Sequence, residues 1–125
     1  MMAAARSRAY ETVGTTNRAA TADPHQLIAI LFDEALADLA KARRAIEAGD
    51  LAGKGRFLSH ASTLVAALEC SLDFDKGGEI AATLAQVYRF IRARILTAGR
   101  KNDPEQARMA AETLGEIASA WASIR

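Results

Sequence analysis

Apolar side chains recur at intervals of three and four residues along four stretches of the chain, with polar side chains between them. Because an α-helix has about 3.6 residues per turn, this spacing places each apolar set on one helical face. The four stripes are Ile28, Leu31, Phe32, Ala35, Leu39, Ala42 and Ile46; Phe57, Ala61, Leu64, Val65, Leu68 and Leu72; Ile80, Leu84, Val87, Tyr88, Ile91 and Ile95; and Ala110, Leu114, Ile117, Trp121 and Ile124. Four amphipathic helices joined by short turns predict an all-α fold, an antiparallel four-helix up-down bundle with Tyr88 and Trp121 substantially buried.

Capping residues mark the helix boundaries. Asp23 and Asp103 each stand before a proline, which gives an N-cap followed by a residue that suits the first helical position. Gly49 ends the first helix. The second helix is expected to become regular only near Lys54, because two glycines, the first of them Gly53, lie in its first turns.

The chain reverses near its centre, where two aspartates and a Gly-Gly pair separate two apolar stripes. Either Gly77 or Gly78 is expected to adopt positive φ, since glycine does so at little steric cost. Asp73 can cap the helix that follows, and Glu79 suits its positive N-terminal end. The residues of this central motif are Ser71, Leu72, Asp73, Gly77, Gly78 and Glu79.

The first 22 residues differ from the rest of the chain, since they are mostly small and polar, with Tyr10 and Val13 as the main apolar side chains. Such a segment lacks the apolar area needed to offset the entropy of ordering it alone. We therefore predict a short N-terminal helical or flexible arm over residues 1–22 and a single bundle domain over residues 23–125.

Composition narrows the range of partners and the expected compartment. Sixteen basic and fifteen acidic residues leave a net charge of +1, so nothing favours nucleic acid. Cys70 is the one cysteine of the sequence, which is consistent with a reducing compartment. The sequence shows neither a signal-peptide pattern nor an apolar run long enough to span a membrane. A cytoplasmic protein without membrane insertion is expected.

A metal-dependent enzyme is the alternative that a helical bundle raises first. Di-metal bundles use Glu-x-x-His on two helices, and the residues three before His25 and His60 are Ala22 and Phe57. Both histidines are expected to be solvated. Cys70 has no Cys-x-x-Cys partner, and the Gly-Gly pair lacks the rest of a phosphate loop. The sequence therefore predicts no enzyme, no metal and no cofactor.

Several apolar side chains lie off the predicted stripes. At about 100° per residue, Ile30 projects away from the first stripe, Phe90 and Leu96 leave the third on its two sides, and Met109 leaves the fourth. A small bundle does not need second apolar faces. These residues are therefore candidates for a surface that receives an amphipathic partner.

The order and spacing of several motifs resemble the FliS family over nearly the whole chain. These are Tyr10, Ala22-Asp23-Pro24-His25-Gln26-Leu27, Leu31-Phe32-Asp33-Glu34-Ala35, Ala45-Ile46-Glu47-Ala48-Gly49-Asp50, Ser71-Leu72-Asp73, Gly77-Gly78-Glu79-Ile80-Ala81, Leu84, Tyr88, Leu114 and Trp121. Each motif is weak alone, and their order makes the match specific.

The resemblance implies a cytoplasmic chaperone that binds the disordered C-terminal segment of flagellin, prevents its polymerisation and delivers it to flagellar type III export. It also implies that the N-terminal arm covers part of the binding groove, which would give Tyr10 and Val13 an autoinhibitory role. A vacated arm, with Tyr10, would then be a docking site for an export gate component. A helical adaptor or regulator for another partner, and a small bundle metalloenzyme, stay open as alternatives.

Overall fold

Four helices make up the part of the chain that the structure, a computed structural model, describes, namely residues 22–124. They are α1 (Pro24–Ala48), α2 (Leu51–Cys70), α3 (Phe74–Lys101) and α4 (Pro104–Ser123). Residues 22–124 contain no strand. Tyr10 and Val13 lie outside the described residues, so the predictions for the arm stay predictions.

Each helix packs against two others: helices that are consecutive in the chain are in contact, and the last packs against the first. α1 packs against α2 and α4, and α3 packs against the same two helices, so α1 and α3 are diagonal. This ring with short turns is the up-down-up-down bundle that the sequence predicts, and the prediction of the fold is confirmed. Within residues 22–124, no helix combines the length and the apolar character needed to cross a bilayer.

The predicted caps are present, with one correction at the start of α2. The Gln26 amide donates to Asp23 Oδ1 at 2.8 Å, and the Asp23 amide donates to Gln26 Oε1 at 3.0 Å. α2 begins at Leu51 rather than near Lys54. The reason is that the Gly53 amide donates to Asp50 Oδ1 at 2.9 Å, in a space where an added Cβ would lie 2.3 Å from Asp50 Oδ2.

The two ends of the bundle are built from side chains of different size. At the end where α1 meets α2 and α3 meets α4, here called the closed end, the turns have positive φ at Gly49 and Asn102. Lys54 Nζ joins them by donating to Gly99 O at 3.1 Å and to Asn102 Oδ1 at 2.5 Å. The buried residues at this end are mostly alanines, namely Ala42, Ala45, Ala98, Ala107 and Ala110.

At the opposite end, here called the open end, large side chains fill the interior. Phe32, Leu68 and Tyr88 are each no more than 3% exposed. Further large apolar side chains lie around them and are only partly covered, so this end of the core continues into surface. The partly covered residues are Ile28, Leu72, Leu84, Ile117 and Trp121.

Candidate partner-binding grooves

An apolar groove of about 700 Å³ opens at the open end of the bundle, and all four helices contribute to it. We call it the end groove. Phe32, Leu68 and Tyr88 form its buried floor. The remaining lining residues are Ile28, Ser71, Leu72, Glu79, Ile80, Thr83, Leu84, Glu116, Ile117, Ala120, Trp121 and Ile124. Apolar side chains dominate this surface, so it can receive the apolar face of a partner.

The central motif shapes one wall of the end groove. Asp73 caps α3 by accepting from the Lys76 amide at 3.0 Å, and the helix then kinks at Gly78, where φ is 49° and ψ is −123°. The prediction of a positive-φ glycine is confirmed at Gly78. After the kink, Ala81 faces the core at 3% exposure and Ile80 faces outward at 73%. Ile80, which the sequence places on the core stripe, is therefore a groove residue.

A reciprocal contact between His25 and Trp121 fastens the rim of the end groove. The two rings stack with centroids 4.5 Å apart and planes 12° apart. Trp121 Nε1 donates to His25 O at 3.0 Å, and His25 Nε2 donates to Trp121 O at 3.0 Å. His25 thus links α1 to α4 and is partly buried, contrary to its predicted solvation. Trp121 is partly buried rather than fully so, since its outer face lines the groove.

The floor of the end groove is shielded from water, as Tyr88 shows. Its side chain is 3% exposed, and burial raises the pKa of its phenol to about 12. Burial raises this pKa because the phenolate, being charged, loses its hydration. The prediction that Tyr88 is buried is confirmed.

Of the predicted binding residues, three lie on α3 and α4 but do not form one surface. Phe90 is 51% exposed and Leu96 is 60% exposed, as the second-face argument requires. Arg94 Cζ lies 4.5 Å from the centroid of the Phe90 ring, and Arg94 Nη1 donates to Met109 Sδ at 3.6 Å. Met109 is partly buried. Leu96 instead lines a separate groove between α2 and α3. None of the three lines the end groove.

Ile30 is a correction to the sequence analysis. It is 5% exposed, so it is not on an open second face of α1. It nevertheless lies outside the contiguous core cluster, whose members on α1 are Leu31, Phe32, Ala35, Leu39 and Ala42. A helical wheel gives the direction of a side chain but not what covers it, and here the direction was misleading.

The sequence predicts core positions for the large apolar residues of the end groove, because they continue the core stripes. Ile124, like Ile80, was placed on a stripe and is 58% exposed. A signal that could have identified them is the change of residue size along the stripes: alanines at the closed end give way to isoleucine, leucine and tryptophan at the other. Large residues on all four stripes exceed what one small core can enclose.

A second polar pair lies inside the bundle, away from both grooves. Asp38 on α1 is 6% exposed, and its carboxylate is hydrogen-bonded to His60 Nδ1 on α2. Burial raises the Asp38 pKa, while His60 and Lys41 oppose that effect. His60 is therefore a structural partner rather than the solvated residue that the sequence predicts. Among residues 22–124, no three His, Cys, Asp or Glu side chains are arranged to hold a metal ion.

Comparison with known proteins places this architecture in a family. Residues 6–125 match the family described as Flagellar protein FliS. The flagellar secretion chaperone FliS of Salmonella typhimurium is 38% identical, over 99% of this chain and 93% of its own length. That of Vibrio cholerae is 32% identical over 94% and 86%, and FliSB of Pseudomonas aeruginosa is 32% identical over 92% and 91%.

These matches confirm the resemblance that the central motif and the capping signals indicate. They span the arm as well as the four helices of the sequence. The relatives are also similar to this chain in length, because each match covers most of both proteins. The chain belongs to the FliS family of flagellar proteins.

Proposed function

We propose that this protein is a flagellar secretion chaperone that binds the C-terminal segment of flagellin in the end groove. The apolar lining of that groove, open on the surface of a closed bundle, is the observation that carries the proposal. Curated relatives that align over most of this chain are named flagellar secretion chaperones. In the cytosol, such binding would cover apolar faces that otherwise drive premature polymerisation.

The geometry suits a client that is disordered before it binds. An amphipathic segment gains contact area when its apolar face enters a groove of this kind, and it orders at the same time. The entropy cost of ordering lowers the net affinity for a given buried area, so release at the type III export gate needs no chemical step on this protein. We accordingly propose no catalytic role and no cofactor for the chain.

Calorimetry with the C-terminal peptide of the organism's own flagellin tests the proposal. Ile80→Asp and Ile124→Asp place a charge on the groove wall at positions 73% and 58% exposed, so the fold should survive. Each should weaken binding by about tenfold or more, since an apolar contact is lost and a carboxylate is desolvated. Leu51→Asp is the matched control, because Leu51 is 68% exposed and does not line the end groove.

Unchanged binding by both groove variants would refute the end groove as the site. Weaker binding by Phe90→Asp or Leu96→Asp, without an effect at Ile80, would instead favour the second faces that the sequence predicts. Ile30→Asp cannot make this distinction, because Ile30 is buried and the substitution is expected to destabilise the fold. Absence of any heat with the wild-type protein would favour an adaptor for a different partner.

The arm supplies a separate prediction about regulation and export. By resemblance, Tyr10 and Val13 compete with flagellin for part of the groove, and Tyr10 contacts an export gate component afterwards. Tyr10→Ala should leave flagellin binding unchanged or tighter, while binding of the chaperone–flagellin complex to the isolated gate domain should fall. A loss of flagellin affinity in Tyr10→Ala would contradict the autoinhibitory role.

A further inference from the structure

A second groove, of about 650 Å³, runs between α2 and α3 on the closed-end half of the bundle. We call it the α2–α3 groove. It shares no lining residue with the end groove among the described residues. From Lys54 to Ala66 it follows α2 for about 18 Å, at 1.5 Å per helical residue. A partner helix of about 12 residues spans that length.

The floor of this groove is apolar and its α2 wall is low. Leu58 and Ile95 form the floor at 6% and 3% exposure, while Leu96 projects beside them at 60%. The α2 wall consists of small residues, which allow another helix to approach closely; they are Gly55, Ser59, Ser62, Thr63 and Ala66. One apolar face of a helix therefore fits here, with Leu96 as its main contact.

The rim of the groove is basic. Lys54, Arg92 and Arg100 line it, and no carboxylate lines it within the described residues. Glu69 lies beyond the end of the groove. Its Oε2 forms a salt bridge with Arg89 Nε at 2.9 Å, and its Oε1 lies 3.8 Å from Arg92 Nη1. α3 carries five basic and no acidic residues over residues 89–101; Arg92 and Arg100 line this groove, whereas Arg94 contacts α4. α4, by contrast, carries three glutamates and one arginine.

We propose that the α2–α3 groove binds an acidic amphipathic helix of a second protein, at the same time as the end groove is occupied. Its apolar side chains would contact Leu58, Ile95 and Leu96, and its carboxylates would pair with the basic rim. Charge complementarity of this kind selects acidic partners and excludes basic ones. The groove lining contains no aromatic side chain on which a base could stack, so nucleic acid fits it less well.

Fluorescence anisotropy with designed peptides tests this inference on the full-length protein. The probe is a labelled amphipathic peptide with leucine on one helical face and glutamate on the other; its counterpart carries lysine for glutamate. The acidic peptide should bind at least about tenfold more tightly than the basic one. Its affinity should fall as salt is raised, because rim charges are screened.

Two variants and a matched control locate the site. Leu96→Ser should lower the affinity for the acidic peptide by about tenfold, and Arg100→Glu should lower it by about fivefold or more. Arg44→Glu makes the same charge change at an exposed position on α1 and should leave affinity unchanged. The flagellin peptide should bind both groove variants as it binds the wild type, so this test and that of the end groove can fail independently.

Four outcomes would overturn the proposal. They are equal affinity for the acidic and basic peptides, wild-type affinity in both groove variants, and stronger binding of a single-stranded oligonucleotide that displaces the peptide. The fourth is a matching loss of flagellin-peptide binding in both variants, which would make this groove part of the client site.

Discussion

The same four helices form both ends of the bundle, but they cover the core at the closed end and leave part of it exposed at the open end. At the closed end, buried alanines such as Ala42, Ala98 and Ala107 are wholly covered. At the open end, Phe32 and Tyr88 are covered, but the next large side chains along the stripes are not. Small side chains allow helices to approach until the core closes, whereas large ones hold the helices apart and continue to the surface.

The comparison shows that an apolar groove does not require a second apolar face on each helix. It arises where one stripe carries more apolar volume than the core can enclose, as with Ile80 and Ile124. The closed end makes this arrangement possible, because its turns and the Lys54 hydrogen bonds hold the helices together at one side. The end groove and the most closely packed part of the core therefore lie at different ends of the molecule.

The largest expected effect comes from placing the same substitution at both ends. Ala107→Leu adds a large side chain at a fully buried position of the closed end and should cost about 3 kcal/mol by overpacking. Ala120→Leu makes the same change on the exposed wall of the end groove and should change stability by less than about 0.5 kcal/mol. Urea unfolding of both variants measures the difference.

Affinity for the flagellin peptide should be affected more by Ala120→Leu than by Ala107→Leu, the reverse of the order for stability. Ala120→Leu fills part of the end groove and should weaken the flagellin peptide, whereas Ala107→Leu should affect binding only through stability. Equal destabilisation by the two variants would mean that the ends are packed alike, which would break the comparison.

A smaller effect is expected from the contact that fastens the open end. Trp121→Ala removes the stacking on His25, the Nε1 hydrogen bond and part of the apolar cover, which should cost about 2 kcal/mol. The loss is below that of a fully buried tryptophan because Trp121 is only partly covered. Trp121→Phe is the control: it retains an aromatic ring and should recover about half of the loss. Thermal melting that is unchanged in Trp121→Ala would show that the contact does not hold α1 to α4.

Alkaline pH reports whether the floor of the open end is dry. With its folded-state pKa raised to about 12, Tyr88 stays protonated while the unfolded chain ionises near pH 10. Tyr88 therefore contributes its full stabilisation below pH 10. This stabilisation falls as pH rises from 10 through 12, and about 2 kcal/mol of it is lost by pH 12. The difference in unfolding free energy between wild type and Tyr88→Phe should follow this course. A difference independent of pH would indicate a wetted floor.

The sequence predicted the fold well because each helix carries both its own caps and its own stripe. The Asp23 capping box, the turn at Gly49 and the positive φ at Gly78 are local features, and each is present in the structure. The predicted start of α2 is wrong because the sequence shows Gly53 only as a weak helix former. Its missing Cβ instead makes room for the Asp50 side chain.

The grooves could not be predicted in the same way, because exposure depends on how four helices meet. Periodicity correctly placed Phe90 and Leu96 off the core, but it also placed Ile30 there, and Ile30 is buried. It places Ile80 in the core because nothing in the sequence shows that a kink at Gly78 turns Ile80 outward. The size of the side chains along a stripe, and not only the direction in which they project, indicates where the core opens to the surface.

The smallest expected effect is the loss of stability when a positive-φ glycine at either end is replaced by alanine. It tests backbone strain without a change in packing. Gly78 at the open end and Gly49 at the closed end both have positive φ, and an added Cβ would meet no atom within 4 Å at either. Substitution by alanine should therefore cost only backbone strain, about 1 kcal/mol at Gly49 and somewhat more at Gly78, where ψ of −123° lies outside the left-handed helical region. Gly55, helical and exposed, is the opposite case.

Gly55→Ala should raise stability by about 0.5 kcal/mol or more, because helical alanine loses less chain entropy than glycine. The decisive comparison is binding. Gly78→Ala should also weaken the flagellin peptide, since the kink sets the direction of Ile80 on the groove wall, whereas Gly49→Ala and Gly55→Ala should bind it normally. If Gly78→Ala loses stability but binds the peptide as the wild type does, the kink is needed for the chain reversal alone and does not shape the groove.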